Sequence, residues 1–129
     1  MEISKTELQI MNVIWQLAPC DANAVIEHLN SQSSTSNHNW HDKTVKTLLG
    51  RLVKKGALDY EKQGRTYIYS PLVKQSEYQT TESLSFVQRL FRGRLSPLVA
   101  SFAKNDKLTE RDVDELKQII ADWENKQGK

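Results

Sequence analysis

The stretch Asp42 to Lys55, DKTVKTLLGRLVKK, constrains the fold more than any other part of the chain. Val45, Leu48, Leu49, Leu52 and Val53 fall at i, i+3, i+4, i+7 and i+8, so the spacing predicts an α-helix with one apolar stripe. The opposite face carries Lys43, Thr44, Lys46, Thr47, Arg51 and Lys54, with no acid among them. Asp42 is placed to cap the helix start. Gly56 is placed to end it in a left-handed conformation, just after Lys54 and Lys55, whose charge suits the negative helix end. A helix held by one face and presenting donors on the other fits a DNA major groove. A merely solvated surface helix shows the same pattern, so its neighbours have to decide. Gly50, in the helix interior, costs about 1 kcal/mol against alanine. Close approach of either a neighbouring element or a DNA backbone would account for it.

Upstream, Ser4-Lys-Thr-Glu7 forms a capping box ahead of Leu8, Ile10, Met11, Val13, Ile14, Trp15 and Leu17, which predicts a first helix stopped near Pro19. Asp21 then caps a second helix with Ala24, Val25, Ile26 and Leu29 on its apolar face and Asn30 ending it. Ser31 to Asn39, SQSSTSNHN, reads as a flexible loop, and Trp40 as an anchor just before the key helix. Beyond Gly56, Leu58 and Tyr60, then Tyr67 and Tyr69, alternate about Lys62-Gln63-Gly64-Arg65. That pattern predicts a β-hairpin with a basic tip, closed by Pro71. Three helices and a hairpin describe a winged helix-turn-helix in which the tip reaches phosphates or a minor groove beside the reading helix.

From Lys74 the chain changes character. Tyr78, Leu84, Val87, Leu90 and Phe91 make a sparse stripe broken at Gly93, and Leu95, Leu98, Val99 and Phe102 form a short helix with Pro97 near its start. Thr109, with Asp112 three residues on, caps a last helix. In it Val113, Leu116, Ile120 and Trp123 step by 3, 4 and 3 like a coiled-coil seam, which Ile119 widens. Such slender helices bury too little alone. A symmetric partner would supply the missing surface. The expected architecture is therefore mainly α: a winged helix-turn-helix domain over residues 1–73, then a small helical dimerisation domain over 74–129. The dimerisation residues are Leu98, Phe102, Val113, Leu116, Ile120 and Trp123. A helical hairpin folding back as a monomer is the plainer alternative.

Charge sharpens this division. The 129 residues carry 18 basic and 16 acidic side chains, a net of only +2. Lys43 to Arg65, however, holds seven bases and two acids, whereas Asn105 to Glu124 holds seven acids and three bases. The two regions therefore suit different partners. A winged helix used only as a protein-contact adaptor is the competing reading, and the basic centre argues against it. The single Cys20 excludes an internal disulfide and suits a reducing compartment. No apolar run approaches the roughly 20 residues of a membrane span, and MEISKTELQ lacks the order of a signal peptide. A soluble cytoplasmic chain without membrane insertion is expected. His38 and His41 have H-x-x-H spacing, and His28 and Cys20 are the other soft groups, but a metal site needs three or four converging ligands. No acid pair lies in an apolar setting and no histidine accompanies Cys20, so neither a catalytic site nor a cofactor is expected.

The chain resembles the BlaI/MecI/CopY family of penicillinase-type transcriptional repressors over almost its whole length. The resemblance is carried by MNVIW, by W-x-x-K-T-V-K-T-L-L-G-R-L-V-K-K-G, by Y-E-K-Q-G-R-T-Y-I-Y-S-P-L-V and by the tail LFRGRLSPLVASFAKNDKLTERDVDELKQII. It implies a homodimeric repressor on a palindromic operator, with the third helix in the major groove and Lys43, Thr44, Lys46 and Thr47 reading bases. Threonine offers a hydroxyl to any base and a methyl to thymine, while lysine can bond guanine or phosphate. Arg51, Lys54, Lys62 and Arg65 would hold phosphates. The resemblance further implies relief of repression through a membrane sensor and protease cutting an Asn-Phe bond, where this chain has Ser101-Phe102. The ending DWENKQGK carries no paired cysteines, so the copper-sensing branch is not implied. The Ser31–Asn39 loop is longer than the family's usual turn.

Overall fold

Ser4 and Glu7 close the capping box that their spacing predicts: the Glu7 N–H donates to Ser4 Oγ at 3.2 Å, and the Ser4 N–H to Glu7 Oε1 at 2.8 Å. They start α1 (Lys5–Leu17), which buries Ile10, Met11, Val13 and Ile14. The computed structural model describes residues 2–32 and 40–128. Its chain divides into two compact units, Met1–Thr80 and Thr81–Lys129.

Asp21 caps α2 (Ala22–Gln32) by accepting from the Ala24 N–H at 2.9 Å. This helix runs two residues past Asn30, which was expected to end it. The Asn30 amide instead bridges to Trp40: its oxygen accepts from the Trp40 N–H at 2.7 Å and its nitrogen donates to the Trp40 carbonyl at 3.4 Å. Trp40 itself packs against the core. Of the expected loop Ser31–Asn39, Ser31 and Gln32 belong to α2, and 33–39 lie outside the described residues.

α3 (Asp42–Lys55) buries Val45, Leu48, Leu49 and Leu52, and Val53 packs against the same core. The cap differs from expectation. His41 occupies the N-cap without a side-chain bond, and Asp42 sits one residue later in the first turn. There its charge complements the positive helix end without accepting a capping bond. Gly56 takes the left-handed conformation, φ 87°, that ends the helix. At the same end, Lys55 Nζ lies 2.6 Å from Glu7 Oε1 and donates to the Glu2 carbonyl at 2.7 Å, fastening the C-terminus of α3 to the N-terminus of α1. Glu7 is only 2% exposed. The Lys55 hydrogen bond, then that from the Ser4 N–H, hold its carboxyl below the ordinary value.

β1 (Leu58–Gln63) and β2 (Thr66–Pro71) pair antiparallel from Leu58↔Pro71 to Gln63↔Thr66. Gly64 and Arg65 alone form the turn, so Lys62 and Gln63, expected at the tip, are strand residues. Since side chains alternate along a strand, the register places Tyr60, Lys62, Tyr67 and Tyr69 on one face. Tyr60 and Tyr67 stack with centroids 4.7 Å apart. Cys20 exchanges backbone bonds with Tyr69, at 2.7 and 3.2 Å, which ties the hairpin to the α1–α2 connection. Three helices around one core with this hairpin make a winged helix-turn-helix.

The remaining elements are α4 (Gln75–Phe91), which begins in the first unit, α5 (Ser96–Lys104) and α6 (Glu110–Gln127). Arg92 and Gly93, both at positive φ, end α4. Pro97 sits in the first turn of α5, and Thr109 with Asp112 forms the expected capping box of α6. No residue of these three helices is buried. Leu84, Leu90, Ile119, Ile120 and Trp123 are among the large apolar side chains left exposed, Trp123 at 60%. Among the described residues, no helix is long and apolar enough to cross a membrane.

Candidate nucleic-acid interface

The burial of α3 sorts its residues into two faces. Val45, Leu48, Leu49 and Leu52 go inward, which leaves Lys43, Thr44, Lys46, Thr47, Gly50, Arg51 and Lys54 exposed. Beyond the exposed Asp42 of the first turn, the outward set holds four basic side chains, two hydroxyls, a glycine and no further acid. None of its charged groups is engaged in an ion pair among the described residues; the ion-paired lysine of this helix, Lys55, lies at its far end.

Gly50 shares the exposed face with Lys46 and Thr47, four and three residues before it. Among the described residues, a Cβ built on Gly50 would meet no atom within 4 Å beyond its own helix. Close packing of a neighbouring element among the described residues is therefore not the reason for the glycine.

An open groove of about 600 Å³ runs between this face and the wing. It is lined by Asp21, Ala22 and Asn23 from the start of α2, by Lys46 and Gly50 from α3, and by Lys62, Arg65, Thr66, Tyr67 and Tyr69 from the hairpin. Of the expected site residues, Lys46, Lys62 and Arg65 thus come together across the groove. Lys43, Thr44, Thr47, Arg51 and Lys54 stand on the exposed helix outside it. Such an arrangement presents donors to base edges from the helix and cations to phosphates from both sides. Asn23 and Tyr67 were not foreseen. Strand alternation could have found Tyr67, because it pairs with Lys62 and must share its face.

Other candidate chemistry does not assemble. Burial, with the Asp21 charge second, pushes the Cys20 thiol above its ordinary value, which disfavours the thiolate needed for nucleophilic attack. Among the described residues no three His, Cys, Asp or Glu side chains could hold a metal ion. His38 of the H-x-x-H pair lies outside the described residues.

The sequence pattern of the penicillinase repressor family matches residues 3–122. The chain belongs to this family. It is 38% identical over 125 residues to the penicillinase repressor of Bacillus licheniformis, covering 97% of this chain and 94% of that one. It is 33% identical over 119 residues to the methicillin resistance regulatory protein MecI of Mammaliicoccus sciuri, covering 92% and 93%. A solution structure of the DNA-binding domain of the repressor BlaI shows 44% identity and a TM-score of 0.49, covering 60% of this chain and 88% of that one.

The second unit holds the remaining expected residues. Leu98, Phe102 and Leu116 line an apolar groove of about 340 Å³ between α5 and α6, together with Val99, Leu108 and Ile119. Val113 is half-buried, and Ile120 and Trp123 are exposed further along α6. Ser101 and Phe102 lie inside α5. The Ser101 carbonyl accepts from Asn105 Nδ2 at 2.8 Å, so the peptide bond between them is held within a hydrogen-bonded turn.

Proposed function

We propose that this chain is a DNA-binding transcriptional repressor that acts as a homodimer on a palindromic operator in the cytoplasm. Residues 1–73 supply the reading module and 74–129 the dimerisation module. The observation that carries the reading is the outer face of α3. Beyond Asp42 in the first turn it is exposed, free of acids and open above Gly50, and it faces a groove whose far wall holds Lys62 and Arg65. Within it, Lys43, Thr44, Lys46 and Thr47 read base edges, and Arg51, Lys54, Lys62 and Arg65 hold phosphates. Membership of a repressor family supports the same assignment. No catalytic step or cofactor enters it.

Dimerisation through Leu98, Phe102, Val113, Leu116, Ile120 and Trp123 would remove from water apolar surface that α5 and α6 leave open. Relief of repression by a protease or membrane sensor acting at Ser101-Phe102 completes the proposal. Mass spectrometry of the repressor from β-lactam-treated cells checks this step: a fragment ending at Ser101 supports it, and an intact chain in derepressed cells refutes it.

The deciding experiment is an anisotropy titration of the full chain against its own promoter DNA at two salt concentrations, with random-sequence DNA alongside. Tight promoter binding with two chains per site, and weak, salt-sensitive binding to random DNA, is the expected result. No promoter preference at either salt would overturn it in favour of a protein-contact adaptor.

A further inference from the structure

Trp15 packs at the edge of the first unit's core from α1. Its indole Nε1 donates to the Val73 carbonyl at 2.8 Å, and its ring meets that of Tyr78 with centroids 5.8 Å apart and planes 39° from parallel. Val73 lies between β2 and α4, where neither a strand ladder nor a helix offers its carbonyl a partner. Tyr78 lies in the first turn of α4 and donates its backbone N–H to the Lys74 carbonyl at 3.0 Å. Just upstream, the Leu72 N–H donates to the Ala57 carbonyl at 2.9 Å. The segment by which the chain leaves the winged helix is thus attached at Leu72, Val73 and Tyr78, and all three attachments fall within the first unit. Core packing alone asks only for a large apolar ring at position 15. The single donor of that ring is spent on the exit segment.

We propose that Trp15 is a positioning residue for operator binding: it fixes the course on which the chain leaves the DNA-binding unit, and thereby sets the half-site spacing that a dimer accepts. The inference rests on the dimeric-repressor reading above. When two binding modules are joined, the second contact adds affinity only if the connection suits the span between sites, and a looser connection tolerates more spans. Trp15 contacts no DNA in this scheme and acts through Val73 and Tyr78.

The test uses the full chain, its Trp15→Phe variant and, independently, Tyr78→Leu. Each is titrated by anisotropy against promoter duplexes carrying one half-site, both half-sites at native spacing, or both with about five base pairs inserted, roughly half a helical turn. Wild type should prefer native over altered spacing on the order of 100-fold. Both variants should bind the single half-site as wild type does, yet lose about tenfold of that spacing preference. Variants that keep the wild-type ratio overturn the proposal. Wild type that gains nothing from a second half-site overturns the dimeric reading itself, and the inference falls with it; that failure is recognised without any variant. If Trp15→Phe unfolds, as lost half-site binding and circular dichroism would show, Tyr78→Leu decides, because Tyr78 is half-buried and lies outside the core cluster.

Discussion

Lys55→Ala tests whether the reading helix is held in place by charge as well as by its apolar stripe. Lys55 lies 2.6 Å from the Glu7 carboxylate, and the carboxylate is 2% exposed while the lysine side chain is 36% exposed. Removing one partner of a fully buried pair costs about 3–5 kcal/mol, because the other charge is stranded. Here water reaches the lysine side, and the Ser4 N–H still bonds Glu7 after the substitution. The applicable figure is therefore that of one charged hydrogen bond, about 1.5–3 kcal/mol. For a unit of this size that lowers the Tm on the order of 10 °C.

Urea unfolding of the full chain, followed by tryptophan fluorescence, reads this loss, because Trp15 and Trp40 pack against the core of the first unit. The pH dependence gives a second reading. Glu7 titrates below its ordinary value of 4.5 in the folded chain, so its contribution is complete above that pH and fades as the pH falls toward the lowered value. Wild type should thus lose stability below about pH 4.5, and the gap to Lys55→Ala should narrow there, since the lysine bond is the first cause of the lowering. A variant within about 0.5 kcal/mol of wild type at pH 7 behaves as an ordinary surface change. That result, or a gap that stays constant down to pH 3, would refute the buried-pair argument.

Three further expectations concern DNA and assembly. Thr44→Ala should relax base preference by about 1–3 kcal/mol, whereas Arg65→Ala should weaken operator and random DNA alike; equal losses for the Thr44 variant on both DNAs would exclude base reading. Gly50→Ala should raise stability by up to about 1 kcal/mol, because no protein atom obstructs the new methyl group, while weakening promoter binding. Unchanged promoter affinity would show that the DNA does not come close there. Leu116→Asp with Ile120→Asp should yield monomers with poor operator affinity by sedimentation and anisotropy, and a double variant that stays dimeric would remove α6 from the interface.

Elements set by neighbours in sequence were legible before the structure. The Ser4–Glu7 and Thr109–Asp112 boxes, the α3 stripe and the Gly56 stop all depend on contacts within one or two helical turns. What escaped was paired across distance. Glu7 read fully as a capping residue and Lys55 as a helix-end cation, so nothing local called for a bond between positions 48 apart. Asn30 looked like a helix terminator because asparagine favours that role, but its amide is used on Trp40 ten residues on, and the helix continues past it. Trp15 likewise read as core, since periodicity sees the ring and not the direction of its N–H.

The candidate site divides along the same line. The outer residues of α3 follow from the stripe, because fixing one face of a helix fixes the other. Gly50 stands out as an anomaly in sequence, but only the fold shows that no neighbouring element among the described residues is its cause. The wing shows why net charge was a poor guide. Asp59 and Glu61 fall on alternate positions to Tyr60 and Lys62, so the two acids of the basic region occupy the opposite face of the hairpin. Neither lines the groove that holds Lys46, Lys62 and Arg65. Phosphate neutralisation depends on the cations that reach the backbone, not on the sum over the chain. A protein of net charge +2 can therefore present a locally cationic groove, with Lys46, Lys62 and Arg65 against the single acid Asp21, because strand alternation turns the acids of the wing elsewhere.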